Sequence, residues 1–340
     1  MTLFREDQAT WLGQVDEPIL EPALPIVDPH HHLWPDLMGN RYAIDELAVD
    51  TGAGHNIVGT VFMECGTCYR DSGPQHERSL GETEYVLAQA ERARAIDAAA
   101  PILGMVGHVD LDDADTVDAA LDAHLDLAGA FFKGIRHAGA SPLEDDREHL
   151  LIPGPAPADL YDRASFRAGV HKLGARGLTY DTWQYHYQLP DLVALARACP
   201  DTVIVLDHFS TPLGVGTHAG RRAEIFRTWR KDMRALAECP NVCLKLGGMA
   251  MPDNGFGWHT AERPPTSDEL LAAQGDWYRH ALECFGAERC MFESNFPVDR
   301  LSLSYPVYWN AMKKLTTGCS AAEKQALYAG TARRVYRLPD

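Results

Sequence analysis

Ile26-Val27-Asp28-Pro29-His30-His31-His32-Leu33-Trp34 is the stretch on which the reading of this chain turns. An apolar lead, Leu24-Pro25-Ile26-Val27, runs straight into three imidazoles. In an extended strand alternate side chains share a face, so His30 and His32 project together while His31 points away. Two neutral imidazoles side by side at a strand end make half of a divalent-metal site. Read alone, the same run also suits a histidine cluster on a loop. The surrounding pattern decides between the two.

Working outward, short β-rich runs alternate with longer helical ones. The strand runs are 25–28, 57–65, 102–109, 131–135, 178–183, 202–206, 242–246 and 290–293. Helical periodicity fills 81–99, 114–127, 165–173, 189–198, 222–238 and 267–285, then 303–315 and 321–328. Ser320-Ala-Ala-Glu323 opens the last of these with a capping box. Eight βα alternations predict a parallel sheet closed as a (β/α)8 TIM barrel. The expected organisation is an irregular lead-in over 1–23 and one barrel domain over 24–340. The long connections 66–80, 138–157, 209–221 and 250–266 nearly all follow strands. In a barrel they extend the C-terminal rim, where active sites sit.

Composition narrows the functional classes. The chain has 340 residues, 46% apolar and 23% charged, with a formal charge of −17. That balance disfavours general nucleic-acid binding and adhesion to anionic membranes. A local arginine still permits an anionic substrate. No apolar run approaches a bilayer span and residues 1–21 lack a signal-peptide pattern, so a cytoplasmic protein acting on a small molecule is expected. The eight cysteines are irregularly spaced, and Cys65-x-x-Cys68 has no second pair to complete a zinc site. Reduced thiols fit better.

Polar residues collect where the strands end. Glu64 closes the second strand, Lys133 and Arg136 the fourth, and Asp181, Trp183 and His186 the fifth with its loop. Asp207-His208 closes the sixth, Lys245 lies in the seventh, and Glu293-Ser294-Asn295 closes the eighth. Glu64 also suits a buried ion pair and Lys245 a structural cation. A dyad directly after Val203-Ile204-Val205-Leu206 must emerge at the rim or be buried at a cost.

In order along the chain, Asp28-x-His30-x-His32, Gly134-Ile135-Arg136-His137, Val205-Leu206-Asp207-His208 and Phe292-Glu293-Ser294-Asn295-Phe296-Pro297 resemble the amidohydrolase-related metal-dependent hydrolases. The tail 328–338 is similar to that family's closing helix. Within the family the chain looks most like the lactonase branch. The resemblance implies that His30, His32 and His208 lie in the site and hold one divalent ion, zinc or manganese. It also implies an aspartate on the eighth strand, as general base and frequent metal ligand. This chain has Asn295 there, and an amide neither takes a proton at neutral pH nor matches a carboxylate as a ligand. The metal is therefore left open, a metal-independent enzyme included, and Glu293 or Glu64 is expected to supply the missing carboxylate.

The expected activity is hydrolysis of a small lactone, a carboxylated one among the candidates. Arg136 is the expected substrate clamp, with Lys133, Asp181, Trp183 and His186 around the pocket. Non-oxidative decarboxylation of an aromatic acid on the same barrel is a second reading. A non-catalytic small-molecule-binding barrel that has lost its base is a third.

Overall fold

The computed structural model describes residues 4–97 and 99–339. Ten strands follow in chain order: β1 Pro25–His31, β2 Trp34–Leu37, β3 Asn40–Tyr42, β4 Asn56–Met63, β5 Ile102–Gly107, β6 Phe132–Arg136, β7 Thr179–Thr182, β8 Ile204–Leu206, β9 Val242–Leu246 and β10 Cys290–Phe292. Eight of them form one sheet in the order β1-β4-β5-β6-β7-β8-β9-β10, every pair parallel. The ring closes just beyond β10, where His31 bridges Phe296 in parallel. There the His32 amide donates to the Phe296 carbonyl (2.8 Å) and the Asn295 amide to the His30 carbonyl (3.0 Å). This is the expected (β/α)8 barrel.

The outer helices are α2 Ile44–Thr51, α3 Leu80–Ala93, α4 Val117–Ala128, α5 Ala164–Ala175, α6 Leu189–Ala198, α7 Arg222–Ala237, α8 Ser267–Phe285, α9 Tyr305–Leu315, α10 Ala321–Gln325 and α11 Thr331–Val335. Their apolar stripes cover the outward side chains of the strands, among them Phe62, Phe132, Tyr180, Ile204, Leu206, Leu244 and Phe292. Each such burial stabilises the fold by about 1.5–3 kcal/mol. The Ser320 capping box is present: the Glu323 amide donates to Ser320 Oγ (3.2 Å) and the Ser320 amide to Glu323 Oε2 (2.7 Å).

Inside the barrel the two-residue period stacks unlike layers. Val27, Val61, Val106, Val205, Cys243 and Met291 form an apolar layer, packed with Tyr336 and Leu338 from beyond α11. Two residues further along three of these strands the same parity delivers Asp207, Lys245 and Glu293. The polar layer is thus built directly upon the apolar one.

Several details differ from the sequence reading. A short antiparallel hairpin, β2–β3, and α2 occupy a stretch that was assigned no element. The lead-in carries α1, Gln8–Leu12, too short to show a period. Trp11 is fully buried, and its indole donates to the Ala261 carbonyl (3.1 Å). The third helix ends at Ala93 rather than Ala99; Ala98, like Asp340 at the end of the expected domain, lies outside the described residues. The eight cysteines are all free. Among the described residues no helix is long and apolar enough to cross a membrane.

The loops behind the strands interlock. The Gly214 amide donates to the Asp253 carbonyl (2.8 Å), Leu151 to Asp253 Oδ1 (2.8 Å) and Thr217 to Asp146 Oδ1 (2.7 Å). Three of the four long connections thereby brace one another above the barrel.

Candidate active site

The polar layer centres on Glu293, which is fully buried. Its Oε1 takes a hydrogen bond from His208 Nδ1 (2.7 Å), and its Oε2 lies 2.7 Å from His30 Nδ1, off the line of an ideal bond. Burial pushes the Glu293 carboxyl upward, but the two imidazoles overcome this and hold it at about 2. Burial likewise pulls His208 down, and Glu293 outweighs it, so His208 stands above its ordinary value. His30 and His32 go the other way. Burial drives both well below the ordinary histidine range, Lys245 adding to the effect at His30 and Arg136 at His32. Both are neutral.

The tautomers follow from the partners. His32 Nδ1 donates to the Met63 carbonyl (2.9 Å), while His30 and His208 turn Nδ1 to Glu293. In its neutral form each ring therefore carries the lone pair on Nε2. The Nε2 atoms of His30 and His32 face one another at 3.2 Å, an arrangement that calls for a proton or cation against both.

Cations stand around this point. Lys245 Nζ is fully buried, 2.9 Å from Asp181 Oδ2, 3.1 Å from Asp207 Oδ1 and 3.3 Å from His30 Nδ1. Arg136 donates from Nε to Glu64 Oε1 (2.8 Å) and from Nη2 to the Glu64 carbonyl. Its Nη1 remains, 3.5 Å from His30 Nε2 and 3.6 Å from Asp207 Oδ2. Asp207 thus sits in two ion pairs, yet neither oxygen has a well-directed hydrogen bond.

That donor set fits a small divalent ion. Imidazole nitrogens freed by Nδ1 partners, with an under-bonded carboxylate beside them, are the usual chemistry of such a centre. His30, Asp207 and His208 bring ligand atoms within 4.8 Å of one another, all buried. His32 meets this group only through His30, so Asp207 enters a ligand set for which the sequence nominated His32. Arg136, beside the same nitrogen, shares the space.

The backbone after β8 aims His208. His208, Phe209, Ser210 and Thr211 have φ of 55°, 57°, 61° and 35°, four successive non-glycine residues in the left-handed region. Such conformations persist only when neighbours over-determine them. Here Trp229 Nε1 donates to the Phe209 carbonyl (2.8 Å), Gln184 Nε2 to Ser210 Oγ (3.2 Å) and Trp183 Nε1 to Thr211 Oγ1 (3.0 Å). Gly248, at φ 70°, admits the ring: a Cβ there would lie 2.1 Å from His208 Nδ1.

The structure thus gathers His30, His32, His208, Glu293, Glu64 and Arg136, and corrects other placements. Lys133, expected at the fourth strand's end, is the second residue of β6 and donates to the Arg337 carbonyl (3.1 Å), low in the barrel. Asp181 is not a rim residue; it is fully buried, bound to Lys245, Thr179 Oγ1 (2.7 Å) and the Tyr336 hydroxyl. His186 packs among the loops against His218, with ring centroids 5.0 Å apart, and accepts the Leu213 amide (3.3 Å). Trp183 braces the turn beyond His208 instead of walling a pocket. Arg136 is no free fork, since two of its three nitrogens serve Glu64. Asn295 donates from Nδ2 to Asp299 Oδ1 (3.0 Å), and burial holds the Asp299 carboxyl up at about 7. Glu293, expected to supply the missing carboxylate, has both oxygens turned to imidazoles, Oε1 to His208 and Oε2 to His30. Asp207 and Lys245 were not carried into the expected site. Their parity with Val205 and Cys243 was the signal that could have found them.

Comparison with known proteins bears on the family and the fold. The protein y4mH of Sinorhizobium fredii, described as uncharacterized, is 30% identical over 334 residues, covering 92% of this chain and 98% of its own. The L-fucono-1,5-lactonase of Burkholderia multivorans is 28% identical over 321 residues, 92% of this chain and 96% of its own. A crystal structure of a Burkholderia multivorans amidohydrolase with bound zinc superposes with a TM-score of 0.69 at 25% identity, covering 92% of this chain and 99% of that one. The amidohydrolase family model matches residues 27–338, and the chain belongs to that family.

Proposed function

We propose that the protein hydrolyses a small cyclic ester. The observation that carries this is the convergence of three imidazoles, each with Nδ1 turned outward to an acceptor, on a floor ringed by Lys245 and Arg136. The lactonase name of the 28% relative supports the same reading.

Of the two imidazoles tied to Glu293, His208 keeps a little exposure and His30 none, and a carboxylate behind an imidazole makes its other nitrogen a competent base. His208 Nε2 takes a proton from water as the water oxygen bonds to the lactone carbonyl carbon. Charge developing on the carbonyl oxygen faces Arg136 Nη1, the one nitrogen of that guanidinium not spent on Glu64. The bond from that carbon to the ring oxygen then breaks, and His208 returns the proton to the ring oxygen, giving a hydroxy acid. Glu293 holds the His208 and His30 rings in register throughout. Of the three groups placed to hold a divalent ion, His30 and Asp207 would keep it while His208 serves as the base. When bound, zinc or manganese supplies Lewis acidity to the carbonyl.

The test is a panel of sugar, muconic and pyrone lactones, with ring opening followed by acid release and metal content measured on the same preparation. We expect opening of at least one lactone, lost in His208→Ala. Carbon dioxide release from an aromatic acid without any lactone opening would replace this reading by decarboxylation. Binding without turnover of any of them would mark a protein that has lost its chemistry.

A further inference from the structure

Beside the catalytic floor lies a second cavity of about 180 Å³, between the loop after β4 and the end of β5. Tyr69, His76, Arg78, His108, Asp110 and Asp113 line it. Arg78 is the unusual member. Its carbonyl accepts the Arg70 and Gly81 amides (2.8 and 3.2 Å), but among the described residues its guanidinium makes no hydrogen bond or ion pair. Its Nε is nevertheless buried. Neighbouring Arg70, by contrast, is paired with Glu84 and Glu77. A buried donor left unmet is costly, by about 1–3 kcal/mol, which favours a ligand that meets it.

Acceptors share the same cavity. Asp110 takes the Asp112 amide on Oδ1 (3.0 Å) and keeps Oδ2 free. His108 turns Nδ1 to the Arg136 carbonyl (3.0 Å), which leaves Nε2 as a lone pair. Asp113 has both oxygens occupied, by the Asp115 amide and Thr116 Oγ1.

This mixture selects a ligand class. An anion would satisfy Arg78 but meet two carboxylates, and an apolar group would leave Arg78 Nε bare. A hydroxyl both accepts and donates, so adjacent hydroxyls answer the guanidinium and the carboxylate together. The volume is below the roughly 300 Å³ of a pocket for a whole drug-sized ligand, so it suits one part of a molecule.

Its position ties it to the site. Tyr69 stacks on His108 at 6.5 Å, and His108 holds the carbonyl of Arg136, whose guanidinium reaches His30. Tyr69 and His108 are thus shared between the wall of the cavity and the residues that back Arg136.

We propose that this cavity is a subsite for the hydroxyl-bearing portion of the substrate, so that the lactone is a polyhydroxylated, sugar-derived one. The inference rests on the lactonase reading for its substrate, and its test separates the two. The KM and kcat of wild type, Arg78→Met and Asp110→Ala are measured with D-glucono-1,5-lactone and with unsubstituted δ-valerolactone. Arg78 makes no side-chain bond that folding needs, and Asp110 is largely exposed, so both variants should fold. We expect KM for the sugar lactone to rise about tenfold or more in Arg78→Met. Asp110→Ala should follow in the same direction, with kcat and the valerolactone constants within about twofold. An unchanged sugar-lactone KM, or an equal rise for both substrates, overturns the subsite.

If wild type opens neither lactone, the lactonase reading fails by itself. The subsite is then judged by calorimetric titration with D-glucitol and with sodium malonate. Glucitol binding weakened by Arg78→Met supports it. Absence of glucitol binding, or preference for malonate, overturns it.

Discussion

His30, His31 and His32 are consecutive, chemically identical and all buried, yet they lie on opposite sides of the barrel wall. His30 touches Glu293, Lys245, Asp207, Arg136 and His32 within 3.6 Å. Among the described residues His31, facing the helices, makes no well-directed hydrogen bond from either ring nitrogen, and it sits edge-on to Phe62 at 6.1 Å. Burial alone therefore does not distinguish a working imidazole from a stranded one. The set of partners does, and a one-residue change of parity decides which set a side chain meets.

The comparison breaks most visibly if the inner charges are disturbed. Lys245→Met leaves Asp181 and Asp207 buried without their shared cation, and should lower unfolding stability by about 3–5 kcal/mol in urea titrations. An unaltered midpoint would show that those carboxylates are protonated rather than paired. Next, His30→Ala or His32→Ala should reduce kcat by at least about a hundredfold while the circular dichroism spectrum stays native. Equal loss in a His31 variant would erase the distinction between the two faces.

The smallest effect belongs to His31. His31→Phe removes two unpaired polar atoms and should raise stability at neutral pH by about 1–3 kcal/mol, with kcat within about twofold. Burial holds the His31 ring down at about 3, against an ordinary value near 6.5. Above 6.5 neither folded nor unfolded His31 is charged, and the fold carries no proton-linked penalty from it. As pH falls from 6.5 towards 3 the unfolded state takes up a proton that the folded state refuses, so stability is lost. The variant should flatten this acid limb by up to about 1.4 kcal/mol per pH unit. Parallel limbs in the two proteins would show that His31 is protonated in place.

Much of the barrel was legible because β-branched runs such as Val203-Ile204-Val205-Leu206 are too short for helices and too apolar for loops. The strand-one pair was legible for the same reason, since period two is fixed by the pleat. Lys133 was misplaced although the rule was at hand. It lies three residues before Arg136, an odd spacing, so a straight strand cannot present both on one face. His186 and Trp183 were beyond reach, because their neighbours Leu213, His218 and Thr211 come from a distant loop whose path has no sequence period. The role of Asn295 was hidden too, its amide answering a carboxylate supplied one turn later by Asp299.

The seam of the barrel has a consequence for the order in which the molecule becomes competent. His30 and His32 belong to the first barrel strand, and the segment that closes against them, 293–296, belongs to the last. The two are separated by more than 260 positions of chain, 264 between His30 and Ser294. Bringing them together closes a very long loop, and the entropy of that loop must be overcome before Glu293 can orient either imidazole. A refolding chain should regain helical content early and turnover only when the ring shuts. Enzyme activity is then a clock that records the final act of folding.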